Sequence, residues 1–271
     1  MQNPPDVHNE KPRYPLRICR AGIKGVKLLP VKVGDYWITP LLSVLVDLPE
    51  NLRGVHVSRL YRTVYEVFTA MGKLDYEFLD ALATKLLEVH KASSTVDVEV
   101  SANVVGKGNL EFSAHRGISM RLVKNRGGEK TMFSSVSFVV VAACPCALTV
   151  SEHMYSKPYT HNSRMKVVVT LRSKEYVPSP IELLELYNNV FPTPRNYLNR
   201  VEEAEYVKNL VETPRFAEDV AREAAYTVLE RYSKLLGRDG AVFVMVRSEE
   251  PHHEFKLAVN LKMSTSDHQF N

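Results

Sequence analysis

Cysteine is scarce in this chain: three residues in 271, at positions 19, 144 and 146. Three thiols so spaced cannot build a disulfide framework, and a Cys-x-Cys pair is poorly placed to bridge itself without strain. Stapling is therefore excluded, and metal or redox chemistry is the better use for Cys144 and Cys146. Long apolar runs are missing as well. None approaches the roughly 20 residues that a membrane-spanning helix needs, and the polar, proline-bearing stretch from Met1 to Pro15 lacks the apolar core of a signal peptide. The expectation is a cytoplasmic protein with no membrane partner. A strong excess of one charge is also absent. Thirty-five basic against 31 acidic residues leave a formal charge of +4, compatible with an anionic small molecule but far from the basic density of a nucleic-acid binder. What is present is enough apolar material, 45% of residues, to bury a substantial core in one large domain or two modest ones.

Residues 1–15 read as a loose N-terminal segment. Two strand-like stretches follow, Leu16 to Val33 and Tyr36 to Leu48, the second broken by Pro40 and ended by Pro49. Ser58 offers an N-cap to an amphipathic helix carrying Leu60, Val64, Val67, Phe68 and Met71, stopped near Gly72. Asp75 offers a second cap, to a helix with Phe78, Leu79, Leu82, Leu86 and Val89 on one face, ending around Lys91. Alternation at Val96, Val98, Val100, Ala102 and Val104 predicts a strand, the Gly106 to Asn109 stretch a turn, and Leu110 to Val123 the return strand. That order is β-β-α-α-β-β.

The second half repeats it. Strands are predicted over Thr131 to Ala143 and Met165 to Leu171, joined by a polar connection. Helices are predicted over Ile181 to Val190, Val201 to Val211 and Phe216 to Leu236, the last starting after Pro214 and stopping at Gly237. Val242 to Val246 and Phe255 to Leu261 close the half as a hairpin. The chain is thus expected to be an α+β protein of two β-β-α-α-β-β modules, residues 16–129 and 130–271. Four-stranded antiparallel sheets with both helices on one face leave an edge and an open face, so barrel closure through oligomerisation is expected.

The chemistry concentrates between Cys144 and Arg164. Cys144-Pro145-Cys146 ends one strand and His161-Asn162-Ser163-Arg164 begins the next, so thiolate and imidazole are expected to meet across a strand-loop-strand junction. Such ligands suit zinc or ferrous iron, with carboxylate or water completing the shell. Buried, inert thiols are the plainer alternative. Glu202, Glu203 and Glu205 open a helix, as do Glu218 and Asp219, and favourable placement at the positive end of the helix dipole accounts for most of them. Glu249-Glu250-Pro251-His252-His253-Glu254 sets two histidines among three carboxylates, fit either for a solvated turn or for acid-base work near neutral pH. His56 and Arg59 are free for phosphate. His90, His115 and His153 read as ordinary histidines and Cys19 as a buried thiol.

Taken in order, Asp47-Leu48-Pro49, Arg53-Gly54-Val55-His56-Val57-Ser58-Arg59, Cys144-Pro145-Cys146-Ala147, His161-Asn162-Ser163-Arg164, Arg200-Val201-Glu202-Glu203-Ala204, Phe216-Ala217-Glu218-Asp219 and the late Glu/His cluster resemble the type IB GTP cyclohydrolases, in particular the archaeal methanopterin-pathway branch. The likeness spans nearly the whole chain. It implies the tunnelling fold and a homo-oligomer, dimer or tetramer, acting on GTP. It implies Cys144, His161 and Glu203 as metal ligands with water at the open position, Glu218 as the carboxylate that anchors guanine, and Glu249 with His252 as the catalytic pair. His56, Arg59, Asn162 and Arg164 join Glu218 as substrate-binding residues. The implied reaction opens the guanine imidazole ring at C8, releases formate and yields 7,8-dihydroneopterin 2',3'-cyclic phosphate, or the triphosphate in the bacterial branch. Ferrous iron is the first choice of metal, with zinc or manganese as substitutes.

Two positions depart from the family pattern. The family hairpin reads Glu-x-x-His-x-His, whereas His252 and His253 are adjacent here, which makes Glu250 with His253 an alternative register. Ser163 stands where the family usually has glutamine. Two rivals keep other chemistry open: a non-catalytic purine-binding protein with a structural zinc at Cys144, Cys146 and His161, and a tunnelling-fold enzyme acting on another pterin or deazapurine with Cys146 as nucleophile.

Overall fold

The computed structural model describes residues 6–105, 116–195 and 197–267. The turn expected at 106–109, the strand residues 110–115 and His115 lie outside them. The chain forms two compact units, one of residues up to 31, 39–102 and 119–133, the other of 32–38, 103–118 and 134 onward.

The stretch read from Leu16 to Val33 is divided at Pro30 into β1 (Ile18–Lys27) and a short β2 (Val31–Val33), and the stretch read from Tyr36 to Leu48 opens, after a turn at Gly34, with a short β3 (Tyr36–Ile38). Pro40 then separates β4 (Leu41–Leu48). β1 pairs antiparallel with β4, and β4 with β5 (Thr95–Val105), from Leu41 opposite Ser101 to Val46 opposite Val96. β6 (Gly117–Asn125) lies beside β5. Period-2 alternation buries Leu42, Val44 and Val46 of β4 and Val96, Val98 and Val100 of β5. The core is completed by Leu60 and Val64 of α1 (Val57–Met71) and Phe78, Leu79, Leu82 and Leu86 of α2 (Tyr76–Val89).

Asp75 caps α2 as expected, its Oδ1 accepting from Phe78 N–H at 2.8 Å. Gly72 stops α1 in the left-handed region at φ 63°. The cap of α1 is not Ser58. His56 holds that place, because its carbonyl already accepts from the N–H groups of Arg59 and Leu60, and no side chain caps the helix. Cys19 is exposed rather than buried, since β1 is an edge strand that faces solvent along most of its length.

The Asp47 carboxylate ties β4 to the start of β5. It accepts from the N–H groups of Ser94 and Thr95 at 2.7 and 2.8 Å, from Ser94 Oγ at 2.7 Å and from Arg17 at 2.8 Å. Burial alone would raise its pKa, but these bonds hold it below the ordinary value.

In the second unit β7 (Lys130–Ala143), β8 (Asn162–Ser173), β9 (Ala241–Glu249) and β10 (Lys256–Ser264) are neighbours in that order. β8 pairs antiparallel with β9, from Arg164 opposite Glu249 to Arg172 opposite Ala241, and β9 with β10. The expected polar connection between β7 and β8 is instead a helix, α3 (Pro145–Tyr155). Pro145 sits in its first turn, where a missing N–H costs nothing, and Ser156 ends it at φ 53°.

Three helices link β8 to β9. α4 (Pro180–Asn188) and α5 (Arg200–Glu212) each start with a reciprocal capping box, Ser179 with Glu182 and Asn199 with Glu202. α6 (Ala217–Leu236) begins one residue later than expected, with Phe216 as its N-cap, and Gly237 ends it at φ 70°. Val220, Ala221, Ala224, Val228 and Leu229 of α6 are buried, and the helix packs on β8, β9 and β10. Fully buried Tyr187 donates its hydroxyl to Ala224 O at 2.7 Å and stacks its ring on Phe138 at 5.0 Å. β10, an edge strand, exposes Leu257, with Phe255 just before it.

Candidate active site

The backbone brings Cys144 and His161 together. Cys144 N–H donates to His161 O at 3.0 Å, and Thr160 Oγ1 donates to Cys144 O at 2.9 Å. Cys144 is also the N-cap of α3, at the positive end of that helix. Cys146, one turn inside α3, is exposed. His161 is half-buried, and its Nδ1 is shut off from solvent without a hydrogen-bond partner. An imidazole nitrogen left so is costly unless a ligand takes it.

The closing hairpin supplies the next group. His252 meets His161 edge to face with ring centroids 5.0 Å apart. Glu250 places Oε2 4.0 Å from His161 Nδ1. Ser163 and Ser248, both buried, donate hydroxyls to the two Glu250 oxygens at 2.6 Å each. Burial works to raise the Glu250 pKa, yet the two hydroxyls and the neighbouring His161 and His253 hold it below the ordinary value. The carboxylate is therefore an ionised, oriented acceptor. Ser163, the residue that departs from the family pattern, has a definite role here as one of its two clamps.

Glu249, expected in the catalytic pair, stands elsewhere. It is the last residue of β9, exposed, opposite Arg164 in register, and bound to Lys256 Nζ at 2.6 Å. Strand alternation separates it from buried Ser248 and directs it to the face shared by Arg164 and Asn162, both exposed. His253 stacks on Phe255 at 4.7 Å. The structure thus sets Glu250 and His252 each beside His161, with His161 and His253 the imidazoles that face the Glu250 charge.

Two pairs of adjacent acids divide their labour in the same way. At the start of α5, Glu202 closes the capping box by accepting from Asn199 N–H at 2.9 Å, while Glu203 is exposed and its carboxylate makes no hydrogen bond or ion pair among the described residues. At the start of α6, Asp219 accepts from Phe216 N–H at 3.1 Å and pairs with Arg222 at 3.0 Å, while Glu218 is exposed and likewise uncommitted. Helix-end electrostatics therefore accounts for Glu202 and Asp219. It leaves Glu203 and Glu218 for other work.

Cys144, His161 and Glu203 do not form a closed three-ligand set. Among the described residues, the group of histidine, cysteine and acidic side chains whose donor atoms all lie within 4.8 Å of one another is Asp6, His8 and His56. None of these was singled out as a ligand in the sequence. His56 lines, with Arg59 and His90, a cavity of about 250 Å³ in the first unit. Burial, with Arg59 close by, lowers the His56 pKa, and burial lowers that of His90 to about 4.

No helix among the described residues is long and apolar enough to cross a membrane. In three-dimensional comparison the chain resembles the crystal structure of uricase from Arthrobacter globiformis, with a TM-score of 0.58 over 93% of this chain and 95% of the other at 11% identity. That likeness concerns the fold alone, the tunnelling-fold arrangement of antiparallel strands and helices. In sequence it is similar to GTP cyclohydrolase MptA of Thermoplasma acidophilum, 26% identical over 92% of this chain and 93% of the relative, and to that of Korarchaeum cryptofilum, 27% identical over 92% and 88%. GTP cyclohydrolase FolE2 of Fervidobacterium nodosum is 27% identical over 85% and 87%. The sequence profile of type I GTP cyclohydrolase folE2 matches residues 5–258. With nearly the full length matched, this chain belongs to the type I GTP cyclohydrolase FolE2 family, among its MptA-like members.

Proposed function

We propose that this protein opens the imidazole ring of GTP at C8 by metal-dependent hydrolysis, releasing C8 as formate and giving, with loss of pyrophosphate as the ribose hydroxyl closes on the innermost phosphate, 7,8-dihydroneopterin 2',3'-cyclic phosphate. The observation that carries the reading is the junction of Cys144 with His161, whose buried Nδ1 lacks a hydrogen-bond partner; two carboxylates, Glu203 and Glu218, are left free by neighbours that cap their helices.

The donor chemistry suits a divalent ion: a thiolate at a helix N-terminus and a neutral imidazole are ligands for ferrous iron, zinc or manganese, iron being our first choice. Cys144 and His161 would hold it, and Glu203 would be the third ligand. When bound, such an ion supplies Lewis acidity and lowers the pKa of water.

The chain's own groups do the rest. Glu218 accepts from guanine N1–H and the exocyclic amine, two donors spaced for one carboxylate, which fixes the purine in position. His252, next to His161, delivers the proton that the purine nitrogen takes up as its bond to C8 breaks. Glu250, locked by Ser163 and Ser248, keeps a negative charge beside His161 and His253 and so orients this end of the hairpin. His56 and Arg59 are proposed for phosphate, with Asn162 and Arg164 as further substrate contacts on the exposed face of β8.

The modules 16–129 and 130–271 would assemble by pairing the exposed edge strands β1 and β10 into a closed barrel of two or four copies, with no nucleic acid involved. Two other readings, a structural zinc in a purine-binding protein and a reductase-like use of Cys146, lack a supporting observation. The deciding experiment is anaerobic incubation with GTP and ferrous iron, with formate and pterin fluorescence followed together. Both products should appear, and chelation should stop them. Turnover that survives chelation, or no formate with any of the three metals, would overturn the assignment.

A further inference from the structure

Asp6, His8 and His56 form a second set of metal-ligating side chains, in the first unit and apart from Cys144 and His161. We infer that Asp6, His8 and His56 bind a divalent transition metal of the zinc type, fastening residues 6–10 to the start of α1. His8 Nδ1 lies 3.6 Å from Asp6 Oδ1, and His56 Nε2 lies 3.8 Å from Asp6 Oδ2. An ion with bonds of roughly 2.0–2.2 Å holds its donors about 3–4 Å apart; Asp6 stands at that spacing from each histidine, and one donor atom from each of the three residues lies within 4.8 Å of the other two. The two imidazole rings are 4.6 Å apart and inclined by 36°.

A second observation points the same way. His56 Nε2 is closed to solvent and accepts or donates no hydrogen bond. Neighbouring groups hold the Asp6 carboxylate in place. Asn9 Nδ2 donates to Asp6 Oδ2 at 2.7 Å and His8 N–H to Asp6 Oδ1 at 3.3 Å, the outer contacts that metal-binding carboxylates commonly have. The surrounding backbone positions His8. Arg53 and Gly54 N–H donate to His8 O at 3.1 and 3.2 Å, and a Cβ at Gly54 would press on the His8 ring at 3.2 Å, so glycine makes room for it. Two imidazoles and one carboxylate favour zinc, cobalt or ferrous iron over magnesium or calcium, which prefer oxygen throughout. Since His56 is the N-cap of α1 and lines the cavity with Arg59, the ion would also fix the imidazole at that cavity's mouth.

The test is cobalt titration of the metal-stripped full chain, with bound metal counted and the visible spectrum recorded. Asp6→Asn and His8→Gln, conservative changes on an exposed segment, should each abolish one bound cobalt, specifically one whose spectrum lacks a thiolate-to-cobalt band. Cys144→Ala should retain that ion. Should Asp6→Asn and His8→Gln, folded by circular dichroism, take up as much cobalt as the unaltered chain, or should all cobalt vanish with Cys144, the site does not exist.

Discussion

Replacing Glu218 and Asp219 one at a time separates recognition from folding at a single helix end. Both acids lie in the first turn of α6, so dipole reasoning alone treats them alike. The structure does not. Asp219 bonds to Phe216 N–H and Arg222, and Asp219→Ala should therefore cost about 1 kcal/mol of stability, the usual loss for an N-terminal cap. Glu218 has no such bonds, so Glu218→Ala should change stability by less than about 0.5 kcal/mol. Its proposed work is to accept two hydrogen bonds from guanine. Bonds to a charged acceptor contribute about 1.5–3 kcal/mol each, so losing both should weaken GTP binding by about 3–6 kcal/mol, or roughly 10²–10⁴-fold in Kd. Calorimetric titration with a slowly hydrolysed GTP analogue and urea denaturation of the same samples read the two quantities. Near-native affinity in Glu218→Ala, or a stability loss there equal to that of Asp219→Ala, would refute the division and return Glu218 to helix capping.

Cys144→Ala and His161→Ala should each abolish formate release while the urea midpoint stays near that of the parent chain, and bound metal should fall with activity. At the hairpin, Glu250→Gln should lower kcat by about 10²-fold or more, in the range of a lost acid-base partner, while Glu249→Gln should keep near-full turnover because that exposed side chain is engaged by Lys256; the steady-state rates of the two variants decide it. Asp47→Asn should destabilise the first unit by about 2–4 kcal/mol through its lost charge-assisted bonds, measured by denaturation. Because the Asp47 pKa is lowered in the folded chain, its contribution is complete above the ordinary carboxylate range and is lost as pH falls through the folded value. The parent should thus lose more stability on acidification than Asp47→Asn.

The succession of elements was legible in the residue order, because the valine alternation of β4, β5, β7 and β8 and the 3.6-residue spacing of α1, α2 and α6 are local patterns set by backbone geometry. So were Asp75 and Gly72 as helix ends, and the Cys144–His161 junction, since a strand that ends and a strand that begins leave those residues at adjoining points. Local reading mistook α3 for a loop, because a proline was taken for a turn when it occupied a first helical turn, and it capped α1 at Ser58 where the carbonyl of His56 already begins the ladder. Which of two adjacent acids is engaged by its own helix and which is free emerged only in the packed chain, because Glu202 and Glu203, or Asp219 and Glu218, differ by where a side chain points and not by type. The same holds at the hairpin. Two serines from β8 and β9 clamp Glu250, while Asp6 and His8 come to His56 from 50 and 48 positions away; such convergence depends on how distant segments pack, and no local pattern carries it.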